Sequence, residues 1–459
     1  MQTTDNILRF SIYDDRKSSL MRETLNLSEC EINIAQYKQS INCIRPPVNQ
    51  AQDTSNRINM NICHLTPHYL PSFAGLTTVY REIAAEEIKL GHTVSVVCYF
   101  PWKPWKETDV KREQIEGVSV IRLKNHIMSS RYPRLGRFFM RFVFPFVFCS
   151  AMKDLACDVL HVAGITHLTY AALIYGKLKK IPVVISLFGE ELRLLEERKN
   201  GLSAVKQFLR KQLNRYIYRR ADAVTCSSMS LVEGLRKLNL RSDSKLIYNG
   251  VNVGKFAMPS ADTVIARKKQ YGLPLDTLIL GSVGGISHRK GYDILLDVFA
   301  RLNNSQPRYH LAIVGGGDVE SLERQATKLG IRDAVTFLGA VTYENLLELY
   351  PLMDIYVQLP RFEEGVSQTA LEAAMFEKPV VLSDCGAMRD SVNNGISGYL
   401  IPIDDRDIIA KCIGQLASDK NLIKKMGQAG RKWVAEHRCY ATIARQYIDV
   451  FSNCLNRSS

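Results

Sequence analysis

From Asn59 onward, short apolar runs alternate with longer stretches in which apolar residues recur every three or four positions. The short runs predict strands over 61–65, 93–99, 118–123, 159–162, 183–187 and 223–226, then over 278–283, 310–314, 335–338, 355–357 and 379–382. The periodic stretches predict helices over 77–90, closed by Gly91, and over 292–303, 319–329, 343–350 and 367–376, with a last amphipathic helix over 439–455. Strands that alternate with helices argue α/β architecture with doubly wound parallel sheets. Two such halves follow, joined near 251–259, with boundaries expected at 58–252 and 253–436 and a terminal segment at 437–459. Residues 1–57 stand outside this rhythm. They are mixed and polar, with a linker-like tract at 49–56, and read as a poorly ordered extension.

A chain of 459 residues with 46% apolar and 23% charged content is long enough for two domains with separate cores. Its longest apolar run, 142–152, contains Pro145 and falls short of the ~20 residues that span a bilayer. Neither a spanning helix nor a signal peptide is expected. Eleven scattered cysteines, without metal-ligand spacing, suit a reducing cytoplasm better than a disulfide framework.

Charge changes the picture. Between Arg122 and Arg220 stand 19 basic residues against six acidic ones, an excess of 13 that accounts for nearly all of the net +14. A local field of this kind recruits an anionic surface. In 131–148 arginines merge into a dense Phe cluster, so Arg134, Arg137, Phe138, Phe139, Arg141 and Phe142 are expected to face lipid. In 204–222 a helix would carry Phe208, Leu209, Leu213, Tyr216 and Ile217 on one side and basic residues largely elsewhere, which also fits a solvated basic face.

The stretch RFEEGVSQTALEAAMF, 361–376, holds the most specific chemistry. Ser367 is placed to cap a helix, leaving the backbone N–H groups of Gln368 and Thr369 for phosphate. Glu372, one turn on, would accept from ribose hydroxyls, and Glu364, before the Gly365 turn, from the hydroxyls of a sugar. Two glutamates eight apart also occur in any solvated loop followed by a surface helix. Context decides between these readings. The segment resembles the E-x7-E signature of the family 4 retaining glycosyltransferases, and the resemblance runs through most of the chain.

That resemblance implies the GT-B fold: two facing Rossmann-like domains with a C-terminal helix crossing back to the first. It implies a nucleoside diphosphate sugar as donor, no metal and no other cofactor, and a saccharide acceptor. The basic, Phe-rich stretch of the first domain suggests in addition a lipid-linked saccharide as acceptor, met at the cytoplasmic face of the membrane. SVGGISHRKG, 282–291, is similar to V-G-R-L-x-x-x-K-G, with Lys290 in the place of the Lys that neutralises the leaving diphosphate. Gly285 stands where the family has Arg, and Arg289 is the candidate replacement. Gly75 resembles the glycine at which backbone N–H groups approach donor phosphate, and YNGVNVGKF, 248–256, resembles the interdomain hinge. His161, Gly189 and Glu191 fall at the acceptor side, where Ala163 and Phe188 depart from the family's histidines. His161 reads equally as a core hydrogen-bonding histidine. Glu364 and Lys290 are the expected catalytic pair, with Gly75, Arg289, Gly365, Gln368, Thr369 and Glu372 completing the donor site. A soluble transferase acting on a free sugar or sugar phosphate is the second reading. A nucleic-acid binder is the third, although no nucleic-acid module is recognisable.

Overall fold

The computed structural model describes residues 59–71, 75–99, 110–124, 143–189, 192, 202–305, 309–362 and 365–458. Strands β1 (Asn61–Leu65), β2 (Thr93–Tyr99), β3 (Val110–Ile115), β4 (Val118–Leu123), β5 (Val159–Ala163), β6 (Val183–Leu187), β7 (Ala223–Cys226) and β8 (Lys245–Leu246) form one sheet, in the order β3-β4-β2-β1-β5-β6-β7-β8. Strands β9 (Leu278–Val283), β10 (Tyr309–Val314), β11 (Val335–Gly339), β12 (Ile355–Gln358), β13 (Val380–Ser383) and β14 (Gly398–Ile401) form a second, ordered β11-β10-β9-β12-β13-β14. All pairings are parallel except β3 with β4. That hairpin turns at Glu116 and Gly117, both with positive φ, the conformation that matches strand twist in a two-residue loop.

The central strands are buried end to end, as in β5, β6, β12 and β13, because helices cover both faces of a parallel sheet. This is why they read as continuous apolar runs. The strands missed in the sequence, β3, β8 and β14, are sheet edges. β3 is half-exposed and polar (VKREQI), β8 has two residues, and β14 begins at a glycine. Helices Phe144–Ala151, His167–Lys179, Met229–Lys237, Ala261–Gln270, Arg406–Ser418 and Lys420–His437 were likewise missed.

The last helix, Tyr440–Ser458, crosses from the second half onto the first. Its Tyr447, Val450 and Phe451 are buried with Ile62, Val159 and Val184 of the first sheet. Among its parallel strands each sheet reverses its order once, between β1 and β5 and between β9 and β12. Open α/β sheets bind ligands in the crevice outside the carboxyl ends of the strands at such a reversal.

Candidate functional site

In the second half that crevice is bounded by the turn after β9 and the loop after β12. The turn is built by close backbone approach. Gly284 N donates to Val314 O at 2.9 Å and Ile286 N to Gly316 O at 2.8 Å. A Cβ on Gly315 would lie 1.9 Å from Gly284 O and one on Gly317 2.3 Å from Ile286 O, so glycine at these two positions after β10 is a packing requirement. Gly291 has φ 67°, and a Cβ there would lie 1.9 Å from Leu359 O. Glycine after Lys290 therefore lets the two loops meet.

Arg289 and Lys290 lie half-buried in a single helical turn, His288–Lys290. Arg361 ties the facing loop to it: its backbone N donates to Arg289 O at 3.0 Å and its Nη1 to His288 O at 3.2 Å. Its guanidinium forks onto both oxygens of Asp293, the second residue of the helix Tyr292–Ser305. Burial works to raise Asp293, but the hydrogen bonds and charge of Arg361 outweigh it and hold the carboxyl below its ordinary range. Neither Arg361 nor Asp293 was singled out in the sequence, where an arginine before a motif has no signature of its own. Gly285 is exposed with no atom within 4 Å of a would-be Cβ, so the missing family arginine leaves open room.

Helix Gln368–Met375 starts as its sequence suggests, with Ser367 Oγ accepting from Ala370 N at 3.2 Å. Among the described residues no acceptor takes the backbone N–H of Gln368 or Thr369. Glu372 departs from expectation. It is buried, and its carboxylate already accepts from Tyr350 Oη at 2.7 Å and Tyr343 Oη at 3.2 Å. Each oxygen thus already accepts from one phenol and keeps a further lone pair, and of the two phenols Tyr343 is the more accessible, 39% exposed where Tyr350 is buried. Burial pushes the Glu372 carboxyl up to about 7, against the lowering effect of Tyr350, Tyr343, Gln368 and Lys255.

Glu364 and Glu191 lie outside the described residues, as do Arg134, Arg137, Phe138, Phe139, Arg141 and Phe142. Gly365 is exposed, and a Cβ on it would sit 4.0 Å from Phe188 O, which puts the donor loop opposite the end of β6 in the first half. Gly189 follows Phe188 in that bend, half-buried. Gly75 is the first residue of the helix Gly75–Lys89.

His161 faces no cleft. It is fully buried on β5, with Nδ1 2.9 Å from His64 Nδ1 and Nε2 2.6 Å from Ser186 Oγ. His64 Nε2 meets Glu87 Oε2 at 2.6 Å, and Tyr447 of the last helix lies over the His161 ring at 4.7 Å. The core reading of this histidine is the one its surroundings fit: burial and contact with His64 drive it well below the ordinary histidine value.

The hinge segment is held by Glu82 of the first half, which accepts from Asn252 Nδ2 at 2.6 Å and Lys255 Nζ at 2.7 Å. Lys255 Nζ also lies 5.9 Å from the Tyr343 ring centre, so the hinge and the Glu372 cluster touch. Among the described residues no group of His, Cys, Asp or Glu is arranged to hold a metal ion.

Comparison with known proteins places these parts. The family model for glycosyl transferases group 1 matches residues 265–433, and that for glycosyltransferase family 4 matches residues 73–255. A D-inositol 3-phosphate glycosyltransferase of Corynebacterium jeikeium is 32% identical over 193 residues, 40% of this chain and 46% of the relative. A GDP-mannose-dependent alpha-(1-6)-phosphatidylinositol monomannoside mannosyltransferase of Mycolicibacterium smegmatis is 30% identical over 210 residues, 44% of this chain and 54% of the relative. The chain thus spans about half the length of these curated relatives. Sucrose-phosphate synthase from Thermosynechococcus elongatus superposes with a TM-score of 0.68 at 22% identity, covering 87% of this chain and 100% of that one, a likeness of fold.

Proposed function

We propose, from the premise that this chain belongs to the group 1, family 4 glycosyltransferases, that it moves a hexose from a nucleoside diphosphate sugar to an acceptor hydroxyl with retention of configuration. The observation that carries this is the arrangement of 288–291, 359–362 and 365–372 around the sheet reversal. A cationic turn, a helix start whose first N–H groups meet no acceptor among the described residues and a buried carboxylate lie on one crevice.

The diphosphate would sit against Lys290, Arg289 and the N–H groups of Gln368 and Thr369, which stabilise the charge that develops as it leaves. Cationic side chains then do what a metal would do, so the reaction is proposed to be metal-independent. Glu372 receives the ribose, and Glu364 orients the sugar. The acceptor enters from the Phe188–Gly189 side, opposite Gly365. The mannosyltransferase relative acts, by its name, on a phosphatidylinositol monomannoside. Together with the basic excess of the first half, this favours a lipid-linked saccharide as acceptor, met at the cytoplasmic face of a membrane. Among the described residues no helix is long and apolar enough to cross one.

The test is thermal unfolding with UDP, GDP and ADP, beside a Glu372→Ala variant. One nucleotide is expected to raise the Tm of the parent protein and to leave that of the variant unmoved. A parent protein indifferent to all three would overturn the donor-site assignment.

A further inference from the structure

We propose that an arginine-lined pocket at the C-terminal end of helix Leu202–Arg220 binds the phosphate headgroup of an anionic phospholipid, while the apolar ridge of the same helix enters the bilayer surface. The inference deepens the membrane part of the functional reading and is independent of the donor site.

The helix packs one side into the first half's core through Asn214, Ile217 and Tyr218, all buried. On the opposite side Val205, Phe208, Leu209 and Tyr216 are 56–61% exposed. Their spacing of three, four and seven residues puts them on one face of the helix, with the exposed Gln212 between Leu209 and Tyr216. Four large apolar side chains in water on a single face call for a partner.

Beside the lower end of that ridge lies a cavity of about 400 Å³ lined by Arg215, Arg219, Arg236 and Arg241 together with Asn239, Leu240, Ser242 and Asp243. Arg241 is spent on structure: Asp243 accepts from its Nε at 2.6 Å and from its Nη2 at 3.1 Å, and Ala221 O from its Nη1 at 2.6 Å. The other three are presented differently. Arg215 is held by its Nε, which donates to Asn239 O at 2.8 Å, and Arg236 by its Nε to Ser242 O at 3.4 Å. Among the described residues nothing accepts from the Nη atoms of Arg215, Arg219 or Arg236. Anchored stems with unengaged planar donors suit the tetrahedral oxygens of a phosphate, which guanidinium groups bind in pairs.

The combination selects the ligand. A free phosphate or a nucleic acid would use the cations but leave the Val205–Phe208–Leu209 ridge in water. A second copy of this chain would cover the ridge but bring another set of arginines to the pocket. An anionic bilayer satisfies both, with the helix lying in the interface and arginines at headgroup level.

Sedimentation of the full chain with vesicles of phosphatidylcholine, with and without phosphatidylglycerol, tests this. Two variants are needed: Phe208→Ser with Leu209→Ser, and Arg215→Ser with Arg236→Ser. The nucleotide-induced rise in Tm serves as the control for folding and the donor site. The expected result is binding to the anionic vesicles only, weakened about thirtyfold by the arginine pair and strongly by the ridge pair, with the nucleotide response intact in both. A parent protein that responds to nucleotide but ignores anionic vesicles overturns the proposal, as do variants that bind like the parent. So does an arginine-dependent rise in Tm with inorganic phosphate but no vesicle binding, or a dimer that the ridge variant dissociates. Loss of nucleotide response in the parent would instead count against the donor site.

Discussion

Glu372 shows what one residue costs and does at the site. A carboxyl raised to about 7 from its ordinary 4.5 binds protons more tightly folded than unfolded. The stability that it contributes is complete below about pH 4.5 and lost as pH rises through about 7. Glu372→Gln removes this titration and is expected to stabilise the fold at pH 8 by on the order of 2 kcal/mol, read from urea unfolding. On the proposed assignment of Glu372 to the ribose, whose hydroxyls donate, nucleotide binding prefers the ionised carboxylate. Calorimetric affinity of the parent protein is expected to be about tenfold weaker at pH 6 than at pH 8, in proportion to the ionised fraction, and that of the variant weak and flat. Affinity of the parent protein independent of pH would show that Glu372 does not hold the ribose. Tyr343 and Tyr350 explain why the carboxylate tolerates burial, and nothing in the sequence paired them with it: they lie 29 and 22 residues away, on the far side of a strand.

At the scale of elements, the site depends on two loops from different strands keeping one geometry. The Arg361–Asp293 fork does this together with Gly291, because it fastens the segment leading to Glu364 onto the turn that carries Lys290. Asp293→Asn is expected to cost only ~1 kcal/mol of stability, the pair being partly exposed, yet to lower transfer by about 10²-fold if the loop shifts by ~1 Å. Stability and initial rates measured side by side would check it, and equal activity would mean that the loop is held elsewhere. The legibility of the sequence divides along the same line. Buried strands and the start of helix Gln368–Met375 were readable, because burial on both faces and a serine cap leave local patterns. Edge strands β3, β8 and β14 were not, since a half-solvated edge has little apolar signal. The loop clamp was not either, because the long-range pairing of Arg361 with Asp293 has no local signature.

At the scale of the molecule, the chain is closed by its own end. Helix Tyr440–Ser458 leaves the second half beside the hinge, where Val251 N donates to Arg438 O at 2.7 Å and Tyr440 N to Val251 O at 3.3 Å, and ends as part of the first half's core. Where it lands, Tyr447 and Phe451 cover His161, with ring centres at 4.7 and 5.3 Å. The groups facing that imidazole are His64 on β1, backed by Glu87 of the helix Gly75–Lys89, the ring of Tyr80 on the same helix at 5.2 Å, and Ser186 on β6, beyond which lies Thr225 on β7. His161 is held well below its ordinary 6.5, first by burial and then by His64, so the native protein keeps it neutral while the unfolded chain takes up a proton. Stability from this group is therefore present above about pH 6.5 and lost as pH falls below it. Its share of the loss is on the order of 1 kcal/mol between pH 8 and pH 5.5. His161→Gln can still bridge His64 and Ser186, so it is expected to be less stable at pH 8 by ~1 kcal/mol but to fall less steeply on acidification. Urea midpoints across that range decide the matter. Parallel curves for the two proteins would mean that the acid limb originates elsewhere, whereas converging curves would show that this buried histidine, under the helix that joins the halves, makes the stability of the fold sensitive to acid.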